Sequence, residues 1–420
     1  MLNDEQEKAV QMMEGFLASP DLFFLLIGPA GTGKTYTMKE LVRRVKSRMI
    51  FTAPTNKATK VLRDVFQNED LGDCYEPECR TIYSLLGLQI KPDGEIKVLT
   101  HPEDPVELGR YKLVVVDEAS MINSNLWGYI QETAKEQRVK FIFMGDAAQL
   151  PPVGEANSPV WSITNKAELT KVMRHDNQIL ALATSLRKVV DHPAPSVVMF
   201  SDNENGEGVW RLPIHSFEEL IVKEAEAGTF SEIGKVKAIA WRNVTVEKLN
   251  ALIRRKIFTE PGDYFPGDRI IIMEPAKDFT SGDTVATTDS EGTIERSTEA
   301  YHPTYGEFKC HRLVVLMDDG HPVTLWVLHA SAAPSFHKKV SDLAAYAKVN
   351  RRLWKDYWAF REAFHSIRYG YAITAHRAQG STYDKVFVNM GDVLCNRNRQ
   401  EAFRCLYVAC TRPRKQLILT

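Results

Sequence analysis

The chain has 420 residues, 44% of them hydrophobic, and a formal net charge of −1. This length exceeds what one hydrophobic core usually supports, so we expect about three or four domains. No stretch approaches the roughly 18 apolar residues of a membrane-spanning helix, and the N-terminus is acidic where a signal peptide is basic. These features exclude a membrane protein and favour the cytoplasm, which would be the host cytoplasm if the chain is viral.

The first motif in the chain is an octapeptide that follows the apolar run Leu22–Ile27. It fits the phosphate-binding pattern Gly-x4-Gly-Lys-Thr between a strand and a helix over about 34–45. Backbone N–H groups of such a loop surround phosphates, Lys34 adds a positive charge, and Thr35 offers a hydroxyl to Mg²⁺. The alternative is a glycine-rich turn before an ordinary helix, which the preceding strand disfavours. We therefore predict an ATP site at Gly28, Pro29, Ala30, Gly31, Thr32, Gly33, Lys34, Thr35 and Tyr36.

Two later strand ends complete this site. The apolar run Leu113–Val116 ends in Asp117 and Glu118, and the run Phe141–Met144 is followed by a polar turn that carries Gln149. We expect Asp117 to hold Mg²⁺ through water and Glu118 to deprotonate the attacking water. Gln149 is placed to sense the γ-phosphate. One such strand end alone is often a solvated loop, but three in order favour an enzyme that hydrolyses ATP.

Local composition points to a polyanionic partner. Nine basic residues and one acid lie between residues 31 and 63, and eight basic residues and three acids lie between residues 338 and 368, where aromatic residues are interspersed. Such stretches suit a nucleic acid whose bases can stack. For these aromatics, Trp354, Tyr357, Trp358, Phe360 and Phe364, we favour a core position, because Leu353, Tyr357, Phe360 and Phe364 recur at helical spacing. The six cysteines lack Cys-x2-Cys spacing, so we expect reduced structural thiols and no zinc site.

The order of the predicted elements is discontinuous. Strands and helices alternate from residue 22 to about 185, as in a parallel sheet covered by helices. The segment 88–99 interrupts them with two short runs around a Pro92-Asp93-Gly94 turn, which predicts a β-hairpin. A second α/β pattern starts near residue 208 and stops after a helix over 245–258. Short strands follow over 262–328, then helices to about 364, and the α/β pattern resumes at 370. An all-β module inserted into a second α/β domain is implied.

The resumed segment carries two further motifs, Tyr371–Thr382 and Leu406–Arg414. With the motifs above, they make the chain resemble superfamily 1B DNA helicases, the Dda-type phage enzymes and their RecD-like relatives. Motifs in the expected order run from residue 6 to residue 412. The resemblance implies two RecA-like P-loop domains with two insertions. Residues 1–185 form domain 1A, with a pin hairpin at 86–107; residues 186–258 and 366–420 form domain 2A; residues 259–365 form an SH3-like β-barrel with a helical tower.

The resemblance also assigns roles to individual residues in the ATP site. It implies that Gln6 contacts the adenine edge and that Gly380 lies near the nucleotide. Arg174 and Arg412 match the two arginines that reach the γ-phosphate from opposite sides, where such residues supply about 10³ to 10⁵ in rate. Pro413 departs from the small residue that relatives commonly have after this arginine.

Further residues match the motifs that line the single-strand path, where hydroxyls and amides hold phosphates without selecting a sequence. The predicted path residues are Pro54, Thr55, Asn56, Thr81, Thr374 and His376. The hairpin lacks the phenylalanine expected at a wedge that separates strands. Leu99 or His101 would have to take its place, or the bulk of the hairpin separates the strands.

The activity implied is ATP-driven 5′-to-3′ translocation on single-stranded DNA with unwinding of duplexes, in replication or the initiation of recombination. Expected partners are single-stranded DNA and duplex junctions, with a single-strand-binding protein as a candidate. Neither a membrane nor a second copy is expected. Three alternatives stay open: a motor that displaces proteins from DNA, an ATP-gated clamp without sustained translocation, and an RNA helicase of the same superfamily. The intact Glu118, Gln149 and Arg412 argue against the clamp.

Overall fold

The computed structural model describes residues 2–67, 77–90, 96–98, 108–171, 178–190, 192 and 201–420. The chain divides into two compact units. The first consists of Met1–Leu212, Ile239–Trp241 and Thr374–Thr420, and the second of Pro213–Ala238 and Arg242–Ile373. Among the described residues, no helix is both long enough and apolar enough to cross a membrane.

The elements are numbered in chain order. The α-helices are α1 (Asp4–Ala18), α2 (Lys34–Val45), α3 (Asn56–Gln67), α4 (Ile82–Leu85), α5 (Ser124–Gln137), α6 (Gln178–Val190), α7 (Ile214–Glu226), α8 (Asn243–Ile257), α9 (Ala333–Val349), α10 (Trp354–Glu362), α11 (Ala375–Ala378), α12 (Met390–Leu394) and α13 (Arg399–Cys410). The strands are β1 (Phe23–Ile27), β2 (Met49–Ala53), β3 (Glu78–Thr81), β4 (Leu88–Ile90), β5 (Ile96–Val98), β6 (Leu113–Val116), β7 (Lys140–Gly145), β8 (Lys166–Glu168), β9 (Asp202–Glu204), β10 (Glu207–Arg211), β11 (Val236–Ala240), β12 (Arg269–Ile272), β13 (Ala276–Lys277), β14 (Thr284–Ala286), β15 (Glu291–Tyr301), β16 (Lys309–Met317), β17 (Pro322–Leu328), β18 (Ile367–Tyr369), β19 (Ala372–Thr374), β20 (Tyr383–Val388) and β21 (Pro413–Leu419).

A six-stranded parallel sheet forms the centre of the first unit. Its strand order is β3-β2-β6-β7-β1-β8, and every pair is parallel. The central strands are buried along their length and read as continuous apolar runs, because helices cover both faces of such a sheet. The predicted α/β fold with a parallel sheet is confirmed. Since β6, β7 and β1 are neighbours, the three predicted ATP motifs follow adjacent strands at the carboxyl edge.

Strands β4 and β5 pair in antiparallel register, with Leu88 opposite Val98. Leu88 is buried in the core beneath the parallel sheet. The predicted turn at Pro92, Asp93 and Gly94 lies outside the described residues, as do Leu99 and His101.

The first unit also holds β20, β21, β10 and β9, hydrogen-bonded in that order. The first three are parallel and β9 is antiparallel. The division of the chain into two units falls within β11 and within β19. A second parallel sheet near the C-terminus agrees with the predicted second α/β pattern, while the domain boundaries at 185, 258 and 366 stay predictions.

The second unit is built around a five-stranded antiparallel sheet of order β17-β16-β15-β12-β18. Its core is aliphatic, with Ile270, Ile294, Leu313 and Val315 almost fully buried. The all-β segment predicted from the short strands is present, and its assignment as an SH3-like barrel stays a prediction. Phe360 and Phe364 join a second core cluster, as predicted. The predicted core position is not reached by Trp354, Tyr357 and Trp358, which are only partly buried.

Candidate active site

The phosphate-binding loop connects β1 to α2. Gly31 and Gly33 have φ angles of 84° and 81°, in the left-handed region that favours glycine. A Cβ atom at Gly28 would lie 2.6 Å from the Thr32 hydroxyl, so a side chain there would collide with the loop. The Lys34 ammonium donates to the carbonyl oxygens of Gly28 at 2.6 Å and Pro29 at 3.1 Å. The loop therefore curls around its own lysine at the start of a helix, which is the geometry that binds phosphates.

Other loop residues have distinct environments. Thr32 is buried and its hydroxyl donates to the carbonyl oxygen of Pro29 at 2.9 Å. Thr35 is partly buried in the first turn of α2, and Tyr36 beside it is 42% exposed. Ala30 lines a cavity of about 170 Å³, together with Arg187 and Tyr407. Exposed Tyr36 and partly buried Thr35 are accessible to a nucleotide, as their predicted roles require.

Gln6 joins the first helix to this loop. Its side-chain oxygen accepts the Asn3 N–H at 3.0 Å, and its amide donates to the carbonyl oxygen of Thr32 at 3.0 Å. A Cβ at Gly33 would lie 2.5 Å from the Gln6 amide nitrogen, so the glycine permits this approach. Gln6 is thus buried against the loop. Its predicted contact with adenine stays a prediction.

Asp117 and Glu118 follow β6 in a constrained turn. The Asp117 carboxylate accepts the backbone N–H of Glu118 at 2.8 Å. Glu118 has a φ of 52°, a left-handed conformation that is uncommon outside glycine and marks local strain. Burial raises the pKa of Asp117. Burial, followed by the charge of Asp117, raises the pKa of Glu118 to about 7, against the opposing effects of Arg412 and Lys34. Glu118 can therefore accept a proton near neutral pH.

A buried amide links this turn to the C-terminal segment. The side chain of Gln379 donates to the Ser120 hydroxyl at 2.9 Å and to the Gln149 side-chain oxygen at 3.0 Å. It also lowers the pKa of Glu118 through a hydrogen bond, although burial keeps that pKa raised. Gln379 and Gln149 are both almost fully buried. Residues after β6, after β7 and after α11 thus meet in one polar cluster.

Asp146 forms a second connection at the end of β7. Its buried carboxylate accepts the Tyr407 hydroxyl, the backbone N–H of Ala148 at 3.1 Å and the Arg187 guanidinium at 3.3 Å. These bonds tie the strand to α6 and α13. Full hydrogen bonding stabilises a carboxylate that would otherwise be costly to bury.

Arg412 follows α13, two residues after its last residue, Cys410, and interacts electrostatically with Glu118. Its guanidinium donates to the carbonyl oxygens of Val408 at 2.9 Å and Ser381 at 3.2 Å, and to the Thr411 hydroxyl at 2.8 Å. Burial lowers the pKa of Arg412, and the Glu118 carboxylate opposes that shift. Arg412 would have to exchange some of these bonds to contact a phosphate.

Two further predicted ATP-site residues are Arg174 and Gly380. Arg174 lies outside the described residues. Gly380 has a φ of 74°, and a Cβ there would lie 3.3 Å from Ala58, so it packs closely against α3. Gly380 is therefore a close-approach position between the C-terminal segment and the first turns of α3.

Three threonines of the predicted single-strand path share one structural role. Each hydroxyl accepts a backbone N–H at the start of a helix: Thr55 from Ala58 at 3.3 Å, Thr81 from Ser84 at 3.1 Å, and Thr374 from Arg377 at 3.4 Å. This is helix capping. Thr81 also ends β3 opposite Ala53 of β2, so the segments after these strands are neighbours.

The remaining path residues flank these caps. Pro54 is partly buried and Asn56 is exposed at the start of α3. His376 is partly exposed, with its Nε2 atom 3.7 Å from the Glu401 carboxylate. Burial lowers the pKa of His376, and the charge of Glu401 opposes this. Leu99 and His101, the two candidate wedge residues, lie outside the described residues.

Comparison with known proteins agrees with this arrangement of motifs. The AAA domain family model matches residues 1–203, and the UvrD-like helicase C-terminal domain matches residues 369–420. The uncharacterized protein R530 of Acanthamoeba polyphaga mimivirus is 26% identical over 496 residues, covering 99% of both chains. The ATP-dependent DNA helicase dda of Enterobacteria phage T4 is 25% identical over 466 residues, covering 98% of both chains. This chain is homologous to the superfamily 1B DNA helicases of the Dda and Pif1 type.

A solved structure supports the fold. The Pif1 helicase from Bacteroides, in complex with ADP-AlF3 and ssDNA, has a TM-score of 0.53 and 17% sequence identity, covering 100% of this chain and 92% of that chain. At this identity the likeness concerns the fold alone.

The sequence alone did not predict part of the polar cluster. It located Lys34, Asp117, Glu118, Gln149 and Arg412, whose charges or side chains the structure brings together. It did not assign roles to Gln379, Ser120, Asp146 or Tyr407. The position of Gln379 between His376 and Gly380, in a motif of otherwise assigned polar residues, was the available signal. Asp146 and Tyr407 gave none, because their contact depends on the packing of α13.

Proposed function

We propose that this chain is an ATP-dependent DNA helicase that moves 5′ to 3′ on single-stranded DNA and opens duplexes at its hairpin. The observation that carries the proposal is the polar cluster in which Gln379 donates hydrogen bonds to Ser120 and Gln149. It joins the predicted catalytic Glu118 and Gln149 to the segment that also contains Thr374 and His376 of the single-strand path. A change at the γ-phosphate would therefore be transmitted to residues that hold DNA. Full-length similarity to a protein named as an ATP-dependent DNA helicase supports this.

A division of labour at ATP is part of the proposal, and the geometry of the described residues supports it. The amides of residues 28–35 and the Lys34 ammonium hold the phosphates, and Glu118 deprotonates the attacking water. Arg412 and Arg174 neutralise charge that develops during transfer, and Gln149 orients the water or the γ-phosphate. Arg412 is close enough to Glu118 for each to affect the other's pKa, which supports its role.

The residues also suit Mg²⁺, the ion that accompanies ATP in such sites. Two adjacent carboxyls, Asp117 and Glu118, have pKa values raised by burial, so a nearby divalent cation would offset the cost of charging them. Thr35 and Asp117 would hold the ion, directly and through water. Bound there, Mg²⁺ would neutralise phosphate charge. The oxygen-only donor set is the one that Mg²⁺ prefers.

Contacts to DNA are proposed to be made with its phosphates. The segments that begin with the capped turns at Thr55, Thr81 and Thr374 present backbone amides, which bind phosphates without selecting a sequence. The β4–β5 hairpin would separate the strands, and the 5′-to-3′ direction rests on the family resemblance. We also propose the domain assignment 1–185, 186–258 with 366–420, and 259–365, and action as a cytoplasmic monomer, with a single-strand-binding protein as a partner on exposed strands.

A strand-displacement assay tests the proposal. Duplexes with a 5′ tail, a 3′ tail or no tail are incubated with the chain, ATP and Mg²⁺, with Lys34→Ala as the inactive control. We expect displacement of the 5′-tailed duplex alone. Displacement of only the 3′-tailed duplex would reverse the direction, and no displacement despite DNA-stimulated ATPase would favour the protein-displacing motor.

Two other outcomes separate the remaining rivals. Stronger stimulation of ATPase by single-stranded RNA than by single-stranded DNA of the same sequence would favour the RNA helicase. Nucleotide-dependent DNA binding without turnover would favour the clamp.

A further inference from the structure

Four side chains with metal-binding atoms meet on the antiparallel sheet of the second unit. Glu299 on β15 lies directly opposite His311 on β16, and His311 lies opposite Val327 on β17, two residues before His329. Residues opposite each other in an antiparallel pair, and residues two apart on one strand, share a face of the sheet. Asp263 reaches the same place from the loop before β12. Strand register therefore holds three of the four groups together.

The distances within this group suit coordination better than hydrogen bonding. Ligand atoms of Asp263, His311 and His329 all lie within 4.8 Å of one another. The His311 Nε2 atom is 3.3 Å from an Asp263 carboxylate oxygen, and the His329 Nε2 atom is 3.6 Å from a Glu299 carboxylate oxygen. Tetrahedral Zn²⁺ with bonds of about 2.0–2.2 Å sets neighbouring ligand atoms about 3.3–3.6 Å apart. The two nitrogen–oxygen pairs already have this spacing.

An unsatisfied buried atom points into the group. The His311 side chain is only 8% exposed. Its Nε2 atom lies 3.3 Å from the Asp263 carboxylate, but it makes no well-aligned hydrogen bond to any residue in the described part of the chain. The ring packs against Tyr264 in a T-shaped contact, with ring centroids 5.1 Å apart. A buried nitrogen without a well-aligned hydrogen bond costs stability. A metal ion bonded to Nε2 would remove that cost.

His329 presents the corresponding nitrogen. Its Nδ1 atom faces Ser331, 2.7 Å from the hydroxyl and 3.1 Å from the backbone nitrogen, so Nε2 faces the group. Coordination by Nε2 requires the proton on Nδ1, and the Ser331 hydroxyl is placed to accept it. When the metal binds, Nδ1 would stop accepting the Ser331 backbone N–H and would instead donate its proton in a hydrogen bond to the Ser331 hydroxyl.

We propose that Asp263, His311 and His329, with Glu299 as the fourth ligand, bind a divalent metal ion of the Zn²⁺ class. Two imidazoles with carboxylates favour Zn²⁺ and the late first-row metals, whereas Mg²⁺ prefers oxygen ligands alone. The Lys309 ammonium lies 2.6 Å from one oxygen of the Glu299 carboxylate, while the other oxygen faces His329. The cluster contains no cysteine, so cysteine spacing could not reveal it. The ion would fasten the loop before β12 to strands β15–β17.

Zinc titration of the full chain tests this site. The chain is stripped with a chelator and titrated with Zn²⁺ in competition with a chromophoric chelator, without ATP or Mg²⁺. We expect one tight site per chain and a rise in Tm with Zn²⁺. His329→Gln should weaken the site at least about tenfold and abolish the rise in Tm. His215→Gln, at an 81% exposed side chain, is the matched control and should change neither.

Co²⁺ substitution identifies the ligands. We expect a tetrahedral spectrum without a sulfur-to-metal charge-transfer band, and its loss in His329→Gln. A thiolate band would assign the metal instead to a cysteine, such as Cys405 beside His376 and Glu401, and would overturn the proposal. Equal Zn²⁺ affinity in the parent chain and in His329→Gln would overturn it as well. A second ligand is tested with His311→Gln or, if that variant fails to fold, with Asp263→Asn in the exposed loop. We expect weakened Zn²⁺ binding.

Discussion

Gln379 donates a hydrogen bond to the side-chain oxygen of Gln149 at 3.0 Å, across 230 positions of sequence. The same amide reaches Ser120 at 2.9 Å. Because Gln149 is the predicted sensor of the γ-phosphate, the C-terminal segment is bonded directly to that sensor. Gln379 therefore acts as a positioning residue for the catalytic turn rather than as a solvated polar side chain.

Replacing Gln379 with alanine should uncouple this contact. We expect DNA-stimulated kcat for ATP to fall by about 10² while KM changes little, because the amide orients catalytic groups and does not hold the nucleotide. Steady-state ATPase assays at saturating single-stranded DNA measure both constants.

The matched control for that variant is Gln11→Ala, which removes an exposed amide that donates to Glu7 within α1. It should leave kcat unchanged. A rise in KM with normal kcat in Gln379→Ala would contradict the positioning role and make Gln379 a nucleotide ligand.

The parallel sheet and the ATP motifs could be predicted from the sequence because their information is local. The run Leu113–Val116 is apolar on both faces, as a buried parallel strand must be, and Asp117 and Glu118 follow it directly. The predicted helix over 34–45 coincides with α2, since the loop and the helix start are defined by adjacent residues.

Contacts between distant segments could not be predicted in this way. Tyr407 lies in a wholly buried stretch of α13, and nothing in its neighbours reveals that its hydroxyl meets Asp146. His311 and Glu299 lie opposite each other because of the register between β15 and β16. An alternating strand pattern in the sequence does not specify which strands pair. The path threonines were located by family motifs, while their capping bonds came from the structure.

Lys34→Ala should abolish DNA-stimulated ATP hydrolysis and leave the fold intact. Within the described part of the chain, the ammonium donates hydrogen bonds to the loop carbonyls of Gly28 and Pro29. A charge contact to transferring phosphate commonly supplies about 10² or more in rate. Retention of more than about a tenth of the stimulated rate would contradict the assignment. Circular dichroism and thermal melting check the fold, and Lys223→Ala, at an exposed position on α7, is the control.

Glu118→Gln should separate binding from chemistry. The amide keeps the shape of the side chain and cannot accept the proton, so turnover should stop while binding of a non-hydrolysable ATP analogue persists. Equilibrium binding of the analogue with Mg²⁺ present decides the matter. If affinity falls together with the rate, Glu118 supports the site structurally.

The same variant has a signature in stability against pH. The folded-state pKa of Glu118, about 7, lies above its ordinary value of 4.5, so the folded protein favours the protonated form. Stability from this group is present below pH 4.5 and is lost as the pH rises through 7. Without nucleotide, Glu118→Gln should therefore raise Tm at pH 8 more than at pH 5. An equal change in Tm at both pH values would contradict the raised pKa.

The hairpin should be needed for unwinding and dispensable for ATP hydrolysis. Replacing residues 89–101 with a short Gly-Ser linker removes β5 and most of β4, and it retains Leu88, which is buried in the core. We expect unwinding of a 5′-tailed duplex to be lost while single-strand-stimulated ATPase survives, because the ATP site and the predicted path residues lie on other segments. The deciding quantity is the unwinding rate divided by the ATPase rate.

A second variant distinguishes the paired strands from the turn between them. Replacing only Pro92-Asp93-Gly94 with Gly-Ser-Gly keeps β4 and β5 and the candidate wedge residues Leu99 and His101, so we expect it to retain most unwinding. If the larger replacement leaves the ratio of unwinding rate to ATPase rate unchanged, the hairpin is not the pin, since the motor then opens duplexes without it.

Loss of both activities in the larger replacement would show that the hairpin helps to bind the single strand. Normal unwinding by Leu99→Ala would assign strand separation to the bulk of the hairpin rather than to Leu99.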